Sequence, residues 1–174
     1  IIWVNTWYNP VKEGEAAKVL ITQGCDMVAQ HTDSPSPLQV AEKQGVFGFG
    51  QASDQMKFAP KAQLTATIDD WGPYYIDRVQ AIFDGNWNSG DYFGGMIDDD
   101  AVGMAPFTNM PADVAAFAGK IKEGIKNGKY HAFTGPIKDN TGKLQLKDGE
   151  IASDLHLNTM MYYVKGIDAK VPGS

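Results

Sequence analysis

IIWVNTWYNPVKEGEAAKVLITQGCDMVAQHTDSPSPLQVAEKQGVFGFG, residues 1–50, alternates short apolar runs with amphipathic stretches, and that alternation decides the fold. The run from Ile1 toward Pro10 predicts a strand that delivers Asn5, Thr6 and Trp7 to its end. Lys12 to Gln23 predicts a helix, with Ala16, Val19, Leu20 and Gln23 near helical spacing and Gly24 as the stop. Cys25 to Gln30 predicts a short strand, Ser36 to Lys43 a helix closed by Gly45, and Val46 to Gly50 another strand. Such an order, with connections of a few residues, belongs to a parallel sheet wrapped by right-handed crossovers. The fold class is α/β.

The pattern continues with a strand at Gln63 to Ile68 and a helix at Tyr74 to Phe83, where Tyr75, Val79, Ile82 and Phe83 share one side before Gly85. Asn86 to Gly95 reads as loop and edge strand, and Ala101 to Phe107 as a further strand. Pro111 to Asn127 is the clearest helix, with Pro111 near its first turn, an apolar stripe of Val114, Phe117, Ala118, Ile121 and Ile125, and Gly128 after it. Residues 130–150 read as a hairpin turning at AsnThrGly 140–142. Ser153 to Met160 is a short helix capped by Ser153, and Met161 to Ile167 a final extended piece. No internal repeat, low-complexity segment or long linker interrupts the chain.

At 174 residues with 43% hydrophobic content, the chain can bury a core of its own. A formal charge of -6, with 15 basic residues scattered in ones and twos, leaves no positive face to follow a phosphate backbone, so nucleic acid is excluded as a partner. The single cysteine, Cys25, offers no disulfide and no metal spacing; it reads as a small buried hydrophobe at a strand start. No apolar run is long enough to span a bilayer and no targeting segment is recognisable. Because the sequence opens inside an apolar run, an upstream piece carrying a signal is expected.

Chemistry points to the loops. NTWYNP at 5–10, HTDSPSP at 31–37 and QASDQ at 51–55 each follow a strand, and in a parallel sheet all three lie at one edge. Trp7, Asp33, and Gln51 or Asp54 can therefore converge, with Asn5 beside them and Asp69, Asp70 and Trp71 reaching the same rim from the next strand. Aromatic faces with a few carboxylate and amide groups suit a flat polar heterocycle, since stacking supplies area while Asp and Gln read ring nitrogens and exocyclic groups. Trp7 has a competing reading as a core residue, Asp33 as an Asx turn or helix cap, and Asp54 reads foremost as a turn residue.

Enzymatic readings fail on motif. His31 neighbours Asp33 and Ser34 without forming a triad, and no Gly-x-Ser-x-Gly elbow is present. His131 and His156 have no ligand spacing, so no metal is expected. Asp98, Asp99 and Asp100 lack the alternation of a calcium loop and read as a solvated turn. Gly48 and Gly50 precede no helix that could cradle phosphates, and no cofactor is expected.

WVNTWYNPVKEGEAAKVLITQGCDMVAQHTDSP, GQASDQMKFAPKAQLTATIDDWGPYY, GMAPF and FTGPIKDNTGKL occur together, in order, through nearly the whole chain. With them the sequence resembles the basic membrane protein family of ABC-transporter substrate-binding lipoproteins. The resemblance implies a Rossmann-like lobe of a class I periplasmic-binding-protein fold that closes on a purine and delivers it to an ABC permease in the membrane. It also implies an extracytoplasmic location, with a lipid anchor on a segment upstream of Ile1. Members are about twice this length, so the chain resembles the carboxyl-terminal half. Residues 1–69 and about 90–174 would then form the second lobe, while the helix at about 70–85 would pack with the missing first lobe.

Nucleoside-binding members carry a Ser-Phe-x-Asp-Pro string whose Phe stacks on the base. Here it matches Thr6, Trp7, Tyr8, Asn9 and Pro10, which implies that Trp7 is the stacking residue. The same members carry Gly-Val-Asp-x-Asp-Gln, whose first Asp holds ribose hydroxyls; this chain has Gly50, Gln51, Ala52, Ser53, Asp54 and Gln55. A later Lys of the family falls near Asp69. Losing both sugar contacts disfavours a nucleoside, because unpaired buried hydroxyls cost about 1–3 kcal/mol each. The expected ligand is a free purine base, adenine or a guanine-like relative, with Trp7, Asp33, Gln51, Asn5, Asp70 and Trp71 as contacts. Competing readings are a nucleoside binder, a ligand-sensing module signalling to a membrane partner, and, least favoured, a nucleobase enzyme.

Overall fold

The computed structural model describes residues 1–90 and 101–171. Two compact units divide the chain, one of Ile2–Lys122 and one of Glu123–Ser174 together with Ile1.

In the first unit, α1 (Pro10–Thr22) starts where Asn9 accepts a side-chain hydrogen bond from Lys12 N and Pro10 occupies the first turn, where its missing N–H costs nothing. β1 (Met27–Val28), α2 (Ser36–Gln44) and β2 (Phe47–Gly50) follow, then β3 (Gln63–Asp69), α3 (Gly72–Phe83) and β4 (Val102–Met104); α4 (Ala112–Lys126) begins in this unit and runs past its last residue, Lys122. Gly45 ends α2 at φ +70, a left-handed cap that a side chain would strain.

The sheet order is β1-β2-β3-β4, with β1, β2 and β3 parallel. α1 and α2 pack on each other and on β1, and α2 also covers β2. Between them lie Ala17, Val28, Leu38, Ala41, Ala59 and Ala62, flanked by Ile21, Val40 and Val46. The small residues let helix and sheet approach closely. A Cβ on Gly48 would sit 2.7 Å from Leu38 Cδ1 and 3.1 Å from Val28 O, so β2 accepts α2 only with glycine there. Leu38, 1% exposed, is the largest apolar side chain in this layer, and its burial contributes about 1.5–3 kcal/mol.

Three expectations are corrected. The run from Ile1 is not a strand: it pairs with none among the described residues, Asn5 turns to φ +49, and Ile1 and Trp3 are exposed. A left-handed residue breaks the extended path, and an apolar alternation without a facing layer has nothing to bury against. Second, β4 runs antiparallel to β3, pairing Thr67 with Met104 and Asp69 with Val102. A parallel return needs the intervening helix packed back on the sheet, and α3 has no buried residue. Instead Thr65 Oγ1 donates to Ala105 O at 2.8 Å, and Thr108 Oγ1 to Gln63 O at 2.7 Å, fixing the antiparallel return. Third, Cys25 is exposed, because β1 begins only at Met27.

The helix at α3 forms where expected, with Tyr75, Ile76, Val79, Ile82 and Phe83 all exposed. On α4 the stripe of Val114, Phe117 and Ile121 is likewise exposed. The expected edge strand reaching Gly95 and the turn at Asp98 to Asp100 lie outside the described residues.

The second unit holds the expected hairpin, β5 (Ile137–Lys138) antiparallel to β6 (Leu144–Leu146). Asp139 organises its turn: Oδ1 accepts Thr141 N at 2.9 Å, Thr141 Oγ1 at 2.7 Å and Lys143 N at 3.0 Å, and Oδ2 accepts Gln145 Nε2 at 2.7 Å. These donors, led by the Thr141 hydroxyl and the Gln145 amide, hold the Asp139 carboxyl down to about 2. Ser153 caps α5 (Asp154–Asn158) through His156 N. The extended tail follows, tied to the hairpin by Asn140 N to Tyr163 O and Lys165 N to Lys138 O, both at 2.8 Å.

Candidate functional site

Because β1, β2 and β3 are parallel neighbours, the loops after them share the sheet's carboxyl edge. Asp33 lies beyond β1, Gln51 directly beyond β2, and Asp70 and Trp71 beyond β3. This is the rim where open α/β sheets take ligands. Hydrogen bonds knit the loops together. Gln30 Nε2 donates to Gln55 Oε1 at 2.9 Å, joining the β1 and β2 loops, and Asp69 N donates to Ala52 O at 3.1 Å, joining the β2 loop to the end of β3. Ala52 N also donates to Thr67 Oγ1 at 3.3 Å, and these two bonds hold Ala52 at φ +58.

Asn5 and Trp7 lie in an irregular segment with no strand. They precede α1, whose Glu13 carboxylate accepts Asn9 N at 2.6 Å on Oε1 and both the backbone N and the hydroxyl of Ser34 on Oε2. Ser34 directly follows Asp33, so one buried carboxylate ties the Trp7 segment to the Asp33 loop. Trp7 is 90% exposed, which removes the core-residue reading.

The acidic groups divide by employment. Pro35, not Asp33, is the N-cap of α2. Among the described residues the Asp33 carboxylate and the Gln51 amide make no side-chain hydrogen bond, so both keep their capacity for a ligand. Asp54 is a turn residue, as expected: Oδ1 accepts Gln63 Nε2 at 2.7 Å and Met56 N at 3.0 Å, and these bonds, the amide first, lower its carboxyl below the usual carboxylate range. Asp70 Oδ1 accepts Gly72 N at 3.0 Å at the start of α3. Trp71 lies edge-on to Tyr74, with centroids 5.9 Å apart, and 6.3 Å from Tyr75, an aromatic cluster at the sheet edge.

Glu13, Gln30, Gln55 and Gln63 build this rim, and the sequence reading passed over all four. Only Glu13 left a local signal, an acidic residue four positions after the capping Asn9. Among the described residues no three His, Cys, Asp or Glu side chains are grouped to hold a metal ion. No described helix is long and apolar enough to cross a membrane.

Comparison with known proteins gives the rim its context. Residues 1–141 match the family model described as ABC transporter substrate-binding protein PnrA-like. A purine-binding protein of Brucella abortus is 53% identical over 172 residues, covering 99% of this chain and 49% of that protein. A putative ABC transporter glucose-binding protein of Haloferax volcanii is 28% identical, covering 98% of this chain and 41% of its own length. Among solved structures, an ABC transporter solute-binding protein from Conexibacter woesei superposes with a TM-score of 0.55 at 20% identity, over 75% of this chain and 44% of that one. The chain thus spans about half the length of the curated relatives it matches. With its family model matched over most of its residues, the chain belongs to the PnrA-like ABC transporter substrate-binding proteins.

Proposed function

We propose that this chain supplies half of a clamp that binds a free purine base, adenine or a close relative, for an ABC uptake system and hands it to a membrane permease. The observation that carries the reading is the exposed Trp7 indole on a segment latched to the Asp33 loop, with the uncommitted Gln51 amide in the loop after the neighbouring strand β2. An indole offers one face of a planar ring about 1–3 kcal/mol of stacking, and a carboxylate and an amide can read its edge donors and acceptors. The Brucella relative, named for purine binding, supports the ligand class.

Free base is favoured over nucleoside. Ala52 stands where nucleoside-binding members present a carboxylate, and both its backbone polar groups are engaged by β3. A methyl there leaves ribose hydroxyls without an acceptor. The exposed apolar side of α3, in this reading, packs against a first lobe contributed by the rest of the protein, and α3 belongs with that lobe. The protein works outside the cytoplasmic membrane, tethered there by a lipid. Calorimetry on the full-length protein tests the ligand: adenine should bind more tightly than adenosine, and the reverse order would refute the reading.

A further inference from the structure

We propose that Glu13 is a positioning residue for ligand binding, a latch that holds the Trp7 segment and the Asp33 loop at a fixed separation. The inference deepens the purine reading and rests on it. Glu13 is 1% exposed, and its hydrogen-bond partners among the described residues are all donors on two segments: Asn9 N at 2.6 Å on one oxygen, and Ser34 N at 3.2 Å and the Ser34 hydroxyl on the other. A buried carboxylate persists only where donors replace its water, and these donors lie within two residues of the proposed contacts. Asn9 is two residues from Trp7, a reach of at most about 7 Å, and Ser34 is the next residue after Asp33, about 3.8 Å between Cα atoms.

Helix capping alone does not explain the arrangement. Asn9 already caps α1 through Lys12 N at 3.0 Å, and α1 starts with Pro10. The second oxygen of Glu13 reaches instead across 21 residues to Ser34, whose own hydroxyl oxygen accepts Ser36 N at 3.3 Å in the first turn of α2. One carboxylate therefore bridges the starts of both helices. Stacking on Trp7 and an edge contact at Asp33 must be met by one rigid ring, so looseness between the two segments would have to be removed on binding.

Adenine titrations of four full-length proteins test this: the natural protein, Glu13→Gln, Trp7→Ala and the double variant, each with its Tm. Replacing one oxygen by an amide that cannot accept should weaken adenine binding about tenfold or more, the scale of a lost hydrogen bond to a charged group. In the Trp7→Ala background the same change should cost under about threefold, because the group it positions is gone. A merely structural role would give equal losses in both backgrounds, and that result overturns the latch while leaving the purine reading intact. Should Trp7→Ala by itself leave adenine affinity unchanged, the purine reading and the latch fail together. Ser34→Ala, which removes one donor and keeps the carboxylate, carries the same cycle if Glu13→Gln does not fold; it should show a smaller loss with the same dependence on Trp7.

Discussion

The wholly buried amide of Gln63 holds the exposed carboxylate of Asp54, Nε2 to Oδ1 at 2.7 Å, while its Oε1 accepts Gln55 N at 3.0 Å. One side chain at the start of β3 thereby shapes the loop after β2. Gln63→Leu should lower stability by about 1–3 kcal/mol, chiefly because Gln55 N is left buried without its acceptor. Urea unfolding measures the loss, with an unchanged slope if only the folded state is affected.

Acid should expose the same bond. Asp54 has a folded pKa below its ordinary 3.8, so its contribution is present above that value and is lost as pH falls through the lower folded one. Asp139, held down to about 2, behaves likewise in the second unit across the window from about 3.8 to about 2. Amide protection at Thr141 and Lys143, followed by hydrogen exchange, should fall through this window in the natural protein. In Asp139→Ala, which has no side-chain acceptor, it should already be low and insensitive to pH there.

Ala52 carries backbone strain at the rim, being a non-glycine residue at φ +58. Ala52→Gly should remove about 1–2 kcal/mol of left-handed strain, partly offset by glycine's greater freedom when unfolded, for a net gain of about 0.5–1 kcal/mol. Ala52→Val, with a branched Cβ in the same conformation, should destabilise. Thermal unfolding of the two variants should bracket the natural protein.

What was readable in the sequence was local. Gly45 and Ser153 marked a helix end and a helix start correctly, and the alternation through residue 50 gave the right class, because caps and periodicity act within a few residues. The direction of β4 was not readable, since it depends on whether α3 returns to the sheet. Nor was the loss of an opening strand, which turns on Asn5 adopting φ +49. That Asp33, Gln51, Asp70 and Trp71 stand in loops after neighbouring strands was legible from the strand ends alone. The groups that hold the rim together were not, because Glu13 meets Ser34 across 21 residues and Gln30 meets Gln55 across 25.

The most direct measurement is the affinity of the full-length protein for adenine before and after Trp7→Ala. Loss of one base–indole stack should weaken binding by about 5-fold to 150-fold, the equivalent of about 1–3 kcal/mol, with little change in Tm because the indole is 90% exposed. Adenine binding that is undiminished in Trp7→Ala would contradict the account.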